Sequence, residues 1–167
     1  MAHYMLTRRR MMLAGGGGGE DGKFIIFQEG NRTFVNGAIM ASYEASYNSN
    51  GYYKIGGTNG QSFVLIGAST KNLFDVSNYS KLCIECSGHG STNYGDYVKI
   101  GYSRSDFSFG TVGSTTPSYQ ASLSVTSSTR SVKTFDISKL TYSISIGATC
   151  NVSGGSVHIR IYNIWLE

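Results

Sequence analysis

The sequence predicts an all-β chain: a two-sheet antiparallel β-sandwich, jelly-roll-like, behind an extended N-terminal arm. Three observations carry this. Apolar residues recur with period two, as in Leu82, Ile84 and Cys86, in Val98, Ile100 and Tyr102, and in Tyr142, Ile144, Ile146 and Ala148. Side chains on a strand alternate between its two faces, so each such run buries one face. Glycine, asparagine and serine clusters punctuate these runs at regular spacing, which is the layout of a sandwich or barrel. The chain holds a single proline among 167 residues, and few of its windows favour helix.

Residues 1–22 read as an arm and residues 23–167 as the sandwich domain. The five glycines Gly15 to Gly19 hold no conformation by themselves, because glycine loses the most backbone entropy on ordering. Tyr4, Met5, Leu6, Met11, Met12 and Leu13 are apolar anchors around the basic triplet Arg8, Arg9 and Arg10. The apolar run after that triplet is too short for a signal peptide, and no stretch is long enough to span a membrane.

From Lys23 the pattern becomes regular. Phe24 to Phe27 is a short apolar strand, and Thr33 to Val35 reads as a second one. Ile39 to Tyr47 reads as one continuous strand with Ala41, Tyr43, Ala45 and Tyr47 on a shared face. Asn48 to Gly51 is a turn. Tyr52 to Ile55 and Ser62 to Ile66 flank Gly56 to Gly60. No helix follows this glycine loop and no Lys-Ser/Thr closes it, so it is not a phosphate cradle. Lys81 to Ser87 and Tyr97 to Ser103 are strands on either side of a polar loop. After the long loop Arg104 to Ser118, the residues Tyr119, Ala121, Leu123 and Val125 alternate again. Ser131 to Leu166 supplies the most regular pattern of all. Its two apolar runs, ending at Thr149 and beginning at Val157, flank the turn cluster Asn151 to Gly155 and read as a hairpin forming the spine of the fold. Phe74-Asp75-Val76-Ser77 recurs as Phe135-Asp136-Ile137-Ser138, where each carboxylate can cap a turn between two apolar neighbours. The total is nine or ten strands.

Composition narrows the function. Charged residues make up 14% of the chain, and the net charge of +4 includes the arm's three adjacent arginines. No stripe of Lys and Arg with interleaved aromatics appears, so specific nucleic-acid binding is not expected. An uncharged polar surface suits proteins that meet sugars or pack into assemblies. Of the three cysteines, Cys83 and Cys86 form a C-x-x-C, but on a strand positions three apart face opposite ways. A redox motif needs a helix N-terminus there, so free or buried thiols are expected, with pairing of Cys150 to one of them as the alternative.

Catalytic constellations are lacking. Glu44 and Glu85 are the acidic residues that fall within strands, and Glu85 shares parity with Lys81 and Cys83, opposite the apolar face. His3, His89 and His158 match no zinc spacing, and no acidic loop motif supports calcium at Asp96 or Asp106. No G-x-S-x-G elbow is present. The expectation is a protein that is not an enzyme, with no catalytic residues, no cofactor and no metal.

Sugar recognition has more behind it, because aromatic rings stack on sugar faces while amides and hydroxyls give direction. Tyr52, Tyr53, Tyr94, Tyr97, Phe107 and Phe109 fall at loop ends and are the candidate glycan contacts. Packing beneath their own loops, or against a neighbouring subunit, is the competing reading. Trp165, on the last strand, is read as structural.

The combination of MLTRRRMMLAGGGGG near the start, FDVSNYSKLCIEC in the middle, and KTFDISKLTYSISIGA with VHIRIYNIWLE at the end resembles small β-sandwich proteins of tailed bacteriophages and prophages of gut-type Gram-positive bacteria. The resemblance implies a virion component, whether tail, baseplate, head fibre or decoration subunit, assembled in the host cytoplasm. It implies that Tyr4, Leu6, Arg8, Arg9, Arg10, Met11, Met12 and Leu13 dock onto other virion proteins. It further implies a symmetric homo-oligomer such as a trimer, and a sandwich facing host-surface glycans. A carbohydrate-binding module outside any virion is the alternative.

Overall fold

The computed structural model describes residues 22–56, 62–68, 73–90, 98–104, 119–150 and 157–167. Among these residues there are eleven strands and no helix. In chain order they are β1 (Phe24–Phe27), β2 (Ala38–Tyr43), β3 (Ala45–Tyr47), β4 (Tyr53–Ile55), β5 (Ser62–Gly67) and β6 (Lys81–His89). They continue with β7 (Val98–Ser103), β8 (Ala121–Ser124), β9 (Ser131–Asp136), β10 (Ser145–Cys150) and β11 (His158–Leu166). The arm residues Tyr4, Leu6, Arg8, Arg9, Arg10, Met11, Met12 and Leu13 lie outside the described residues, as do Tyr94, Tyr97, Phe107 and Phe109.

Two antiparallel sheets face each other. One runs β3-β4-β11-β6-β9, with β1 also paired to the far end of β11; the other runs β2-β5-β10-β7-β8. With the three leading strands set aside, the orders are β4-β11-β6-β9 and β5-β10-β7-β8. Consecutive strands from β4 onward alternate between the sheets, except β7 and β8, which are neighbours. That is the double Greek key of a jelly roll.

The core lies between the sheets and consists of the predicted alternating residues. Leu82, Ile84 and Cys86 of β6 meet Val98, Ile100 and Tyr102 of β7 and Ile146, Ala148 and Cys150 of β10, all buried. Ile159, Ile161, Ile164 and Leu166 of β11 complete it. Each fully buried isoleucine contributes about 1.5–3 kcal/mol of transfer free energy, so this layer is the main support of the fold. Both repeated corners behave as the sequence predicts. Asp75 Oδ1 accepts the Ser77 N–H and Asp136 Oδ1 accepts the Ser138 N–H, each at 3.0 Å, while Phe74, Val76, Phe135 and Ile137 are buried.

Four expectations are corrected. The stretch from Tyr142 to Tyr162 is not a hairpin: β10 and β11 lie in different sheets. Alternation records only that each strand buries one face, and that face can meet a partner across the core as well as beside it. Nor is β10 half-buried, because its outward residues Ser145 and Thr149 are covered too. Ile39 to Tyr47 is not one strand. It breaks at Glu44, whose φ of 48° turns the chain from β2 in one sheet to β3 in the other. Finally, Thr33 to Val35 forms no strand, although the Val35 N–H still donates to Ile26 O at 2.9 Å.

Candidate functional site

The six-stranded sheet turns its outer face to solvent, and that face holds a band of aromatic and charged side chains. Its residues follow from strand parity. On β6 the inward set is Leu82, Ile84 and Cys86, so Lys81, Cys83, Glu85, Ser87 and His89 point outward. On β11 the inward Ile159 and Ile161 leave His158, Arg160 and Tyr162 outside.

A bulge between Ile161 and Asn163 then shifts the register against β6. An extra residue in one strand moves everything beyond it by one position. Ile164 and Leu166 therefore stay in the core, while Asn163 and Trp165 join Tyr162 on the outer face. Trp165, read from sequence as structural, is half-buried there, and its indole N–H donates to Glu167 Oε2 at 3.0 Å.

Tyr162, Tyr52 and Trp165 on this face each have a cation over the ring. The Arg130 guanidinium lies 4.1 Å from the Tyr162 ring centroid, that of Arg160 lies 4.9 Å from Tyr52, and Lys23 Nζ lies 5.4 Å from Trp165. A cation over a ring face is held by the ring quadrupole. Tyr52 and Tyr162 also meet edge to face, with centroids 5.8 Å apart. The Tyr162 hydroxyl lies 3.1 Å from Ser87 Oγ.

The centre of the face is a closed polar network drawn from four parts of the chain. Arg130 donates Nε to Glu85 Oε1 at 2.6 Å and a terminal nitrogen to Oε2 at 3.0 Å. Its terminal nitrogen also reaches Glu29 Oε2 at 2.7 Å. The Asn163 side-chain amide donates to Glu85 Oε2 and accepts the Glu29 backbone N–H at 3.0 Å. Arg130 and Asn163 hold the Glu85 carboxyl below its ordinary value, against the opposing effect of partial burial.

The tyrosine pair proposed from sequence divides. Tyr53 points into the sandwich and packs edge to face against Phe27 and Phe34, with centroids 6.3 and 5.6 Å away. Burial raises its hydroxyl pKa, and glycan contact is corrected to core packing at this position. Tyr52 does lie on the outer face, but it is buried beneath Arg160. Loop-end position was a poor guide to these rings, because parity decides which way each points. The outward parity of His158, Arg160 and Tyr162 was legible in the sequence. The contributions of Trp165, Asn163, Arg130 and Glu29 were not, since a bulge and long-range pairing place them. Cys83, Cys86 and Cys150 are free thiols.

No protein-family model matches the sequence, and no curated protein matches it. Among solved structures, the chain is similar to a mutant of CBM29-2, a family 29 carbohydrate-binding module, with a TM-score of 0.57 and 16% identity. The alignment covers 87% of this chain and 91% of that one. It is also similar to the glycoside hydrolase domain of Endo-D from Streptococcus pneumoniae, with a TM-score of 0.45, 14% identity, and coverage of 78% of this chain and 21% of that one. The likeness to the first concerns the fold, a β-sandwich.

Proposed function

We propose that the chain is a carbohydrate-binding module and that the outer face of the six-stranded sheet is its binding surface. The observation that carries this is the band Trp165, Tyr162 and Tyr52, set among Arg130, Arg160, Asn163 and Glu85 on one exposed sheet face. A pyranose presents an apolar C–H face to a ring and hydroxyls at its rim. The rings supply the platform, and guanidinium, amide and carboxylate groups supply the hydrogen bonds. In this reading, stacking on Tyr162 and Tyr52 requires the guanidinium groups of Arg130 and Arg160 to move off the rings. The likeness in fold to a carbohydrate-binding module, over 87% of this chain, supports the same reading.

We propose no catalytic step. On this face Arg130 and Asn163 keep Glu85 ionised, whereas a general acid near neutral pH needs a raised value.

The test is binding of the full chain to a broad panel of polysaccharides, followed through the fluorescence of Trp165, the sole tryptophan. We expect saturable binding that weakens at least tenfold in Tyr162→Ala by fluorescence and in Trp165→Ala by calorimetry, since that variant lacks the fluorophore, with unfolding midpoints recorded alongside. Absence of binding across the panel sinks the proposal.

Attachment to a virion is a second reading, favoured by the segment MLTRRRMMLAGGGGG, which lies outside the described residues. In that reading the arm docks onto virion proteins and presents the sandwich to host glycans. Removing residues 1–22 is expected to abolish incorporation into particles, with glycan binding retained; normal incorporation would overturn it.

A further inference from the structure

We propose that Arg130 is an autoinhibitory cover on this face: its guanidinium closes the Tyr162 ring, Glu85 and Glu29 latch it there, and a sugar stacks on Tyr162 only when the latch opens. The inference rests on the carbohydrate-binding reading and adds a means of regulating the same surface.

The cover occupies the place a sugar would take. Carbon atoms in contact stand about 3.5–4.0 Å apart. The Arg130 guanidinium lies 4.1 Å from the Tyr162 ring centroid, so the two are in contact and no sugar fits between them. The ring is the fixed member of the pair. Its strand β11 lies inside the sheet between β4 and β6, Tyr52 meets the ring edge to face at 5.8 Å, and the Tyr162 hydroxyl lies 3.1 Å from Ser87 Oγ. Arg130 is the movable member, because it ends an exposed and irregular segment, residues 126–130, between β8 and β9.

Three contacts hold the cover over the ring. Nε reaches Glu85 Oε1 at 2.6 Å, and one terminal nitrogen reaches Glu85 Oε2 at 3.0 Å and Glu29 Oε2 at 2.7 Å. A two-point fork between guanidinium and carboxylate fixes orientation as well as position. Both glutamates are placed by Asn163, whose side chain donates to Glu85 Oε2 and accepts the Glu29 backbone N–H. Asn163 follows Tyr162 directly at the bulge of β11. The residue that anchors the latch is therefore the chain neighbour of the ring that the latch closes.

The sign of the control follows from the groups around Arg130. Among the described residues, Glu85 faces it from β6 and Glu29 from the turn after β1, while β11 contributes Tyr162 and, over the adjacent Tyr52 ring, Arg160. Val132 and Thr134, outward on β9, carry no charge. The latch holds the Glu85 carboxyl below its ordinary value of 4.5, so it is whole above that value and loosens as pH falls through the depressed one. A ligand that needs the open form binds with an apparent affinity reduced by the fraction that is open. Neutralising a latch carboxylate therefore tightens binding. A carboxylate whose role was to bond the sugar would give the opposite sign.

The test has two arms, both on the full chain. The first needs no ligand. In nitrogen-15-labelled protein near pH 6.5, the Arg130 Nε–H, assigned by its loss in Arg130→Gln, should exchange slowly with water, and Glu85→Gln should abolish that protection. The second arm titrates a soluble β-glucan, a xylan and a mannan by calorimetry. We expect Glu85→Gln to bind about fivefold tighter than wild type, the factor that a partly exposed latch supplies. Glu29→Gln, at the more exposed of the two positions, should shift both readouts the same way by less. The gain should pass through the ring, so Tyr162→Ala combined with Glu85→Gln should bind no tighter than Tyr162→Ala alone. Wild type should itself bind tighter at about pH 4 than near pH 6.5, which keeps the test intact if a variant misfolds. A fast-exchanging Arg130 Nε–H, or binding that stays level or weakens in both glutamine variants, overturns this inference while the carbohydrate-binding reading stands. A gain that survives Tyr162→Ala overturns it in favour of a general charge effect. Failure of wild type and every variant to bind any polysaccharide on this or the broader panel overturns both readings.

Discussion

Arg130 and Glu85 meet through two parallel contacts, Nε to Oε1 at 2.6 Å and a terminal nitrogen to Oε2 at 3.0 Å, although 45 residues separate them. The pair joins the segment before β9 to the middle of β6, and Glu29 and Asn163 tie it to β1 and β11. It is partly exposed, with side-chain exposures of 39% and 21%, so solvent screens it and its net contribution is about 1 kcal/mol. The sign of its pH dependence is fixed. The Glu85 pKa is depressed in the folded state, so its contribution is present above the ordinary value of 4.5 and is lost as pH falls through the depressed value. Glu85→Gln should therefore lower the unfolding midpoint near neutral pH and flatten its fall below pH 4.5. Asp136 and Glu167 are depressed as well, so a residual acid dependence is expected in the variant. Thermal unfolding of both proteins from pH 7 to 3 checks this; parallel curves would remove Glu85 from the account.

Gly56 ends β4 with φ at +143°, and a Cβ there would stand 2.4 Å from Val157 O and 2.6 Å from His158 Cβ. Gly30 also has positive φ, +87°, but a Cβ there meets nothing within 4 Å. Gly56→Ala should cost about 3 kcal/mol, from backbone strain plus displacement of the β11 entry, whereas Gly30→Ala should cost about 1 kcal/mol. Urea unfolding midpoints of the two variants measure the difference. Equal losses would mean that the chain at Val157 yields freely.

Tyr119 lies across the outer face of the five-stranded sheet, where Gly101 and Gly147 leave it room. Its ring atoms come within 2.8 Å of a Cβ built at Gly101 and 3.0 Å of one built at Gly147. Its hydroxyl donates to Thr149 Oγ1 at 3.4 Å, a long bond, and burial raises its pKa well above the ordinary value of 10.0. Tyr119→Phe should cost under about 1 kcal/mol, and Tyr119→Ala should cost about 3 kcal/mol because the strand beneath loses its cover. In an alkaline absorbance titration, wild type and Tyr119→Phe should show the same ionisation up to the onset of unfolding. A missing tyrosinate in the variant below that point would contradict the burial.

The thiols should be silent in the native state. Burial pushes the Cys86 thiol up to about 12 and raises that of Cys83, while Cys150 is enclosed in the core. The thiolate is the reactive form, so a thiol reagent at pH 8 should label none of the three until denaturant is added. Cys83, held outside the core beside Thr134, should be the first to react. Rapid native labelling of Cys86 would show that the sheet opens locally between β6 and β9.

Much of this architecture was legible along the chain. The inward sets of β6, β7 and β11, the two Asx corners at Asp75 and Asp136, and the outward parity of Glu85, His158 and Arg160 all follow from period two and turn chemistry. Three things did not follow. Glu44 reads like any strand residue, yet it divides β2 from β3. Trp165 reads as part of an apolar run, yet the bulge at Tyr162 and Asn163 sends it outward. Tyr52 and Tyr53 read as one loop-end pair, yet they occupy opposite faces.

By itself the sequence determined that this chain folds as two antiparallel sheets around an isoleucine-rich core. Burial of one face per strand is a local property, written in alternate residues. Only the tertiary structure decided that β10 and β11 face each other across that core, that Arg130 meets Glu85, and that Lys54 stands opposite Arg160. Strand pairing joins residues far apart in the chain, and every strand with the right period satisfies the same local rule. Which strands become neighbours is settled by the packing of all of them at once.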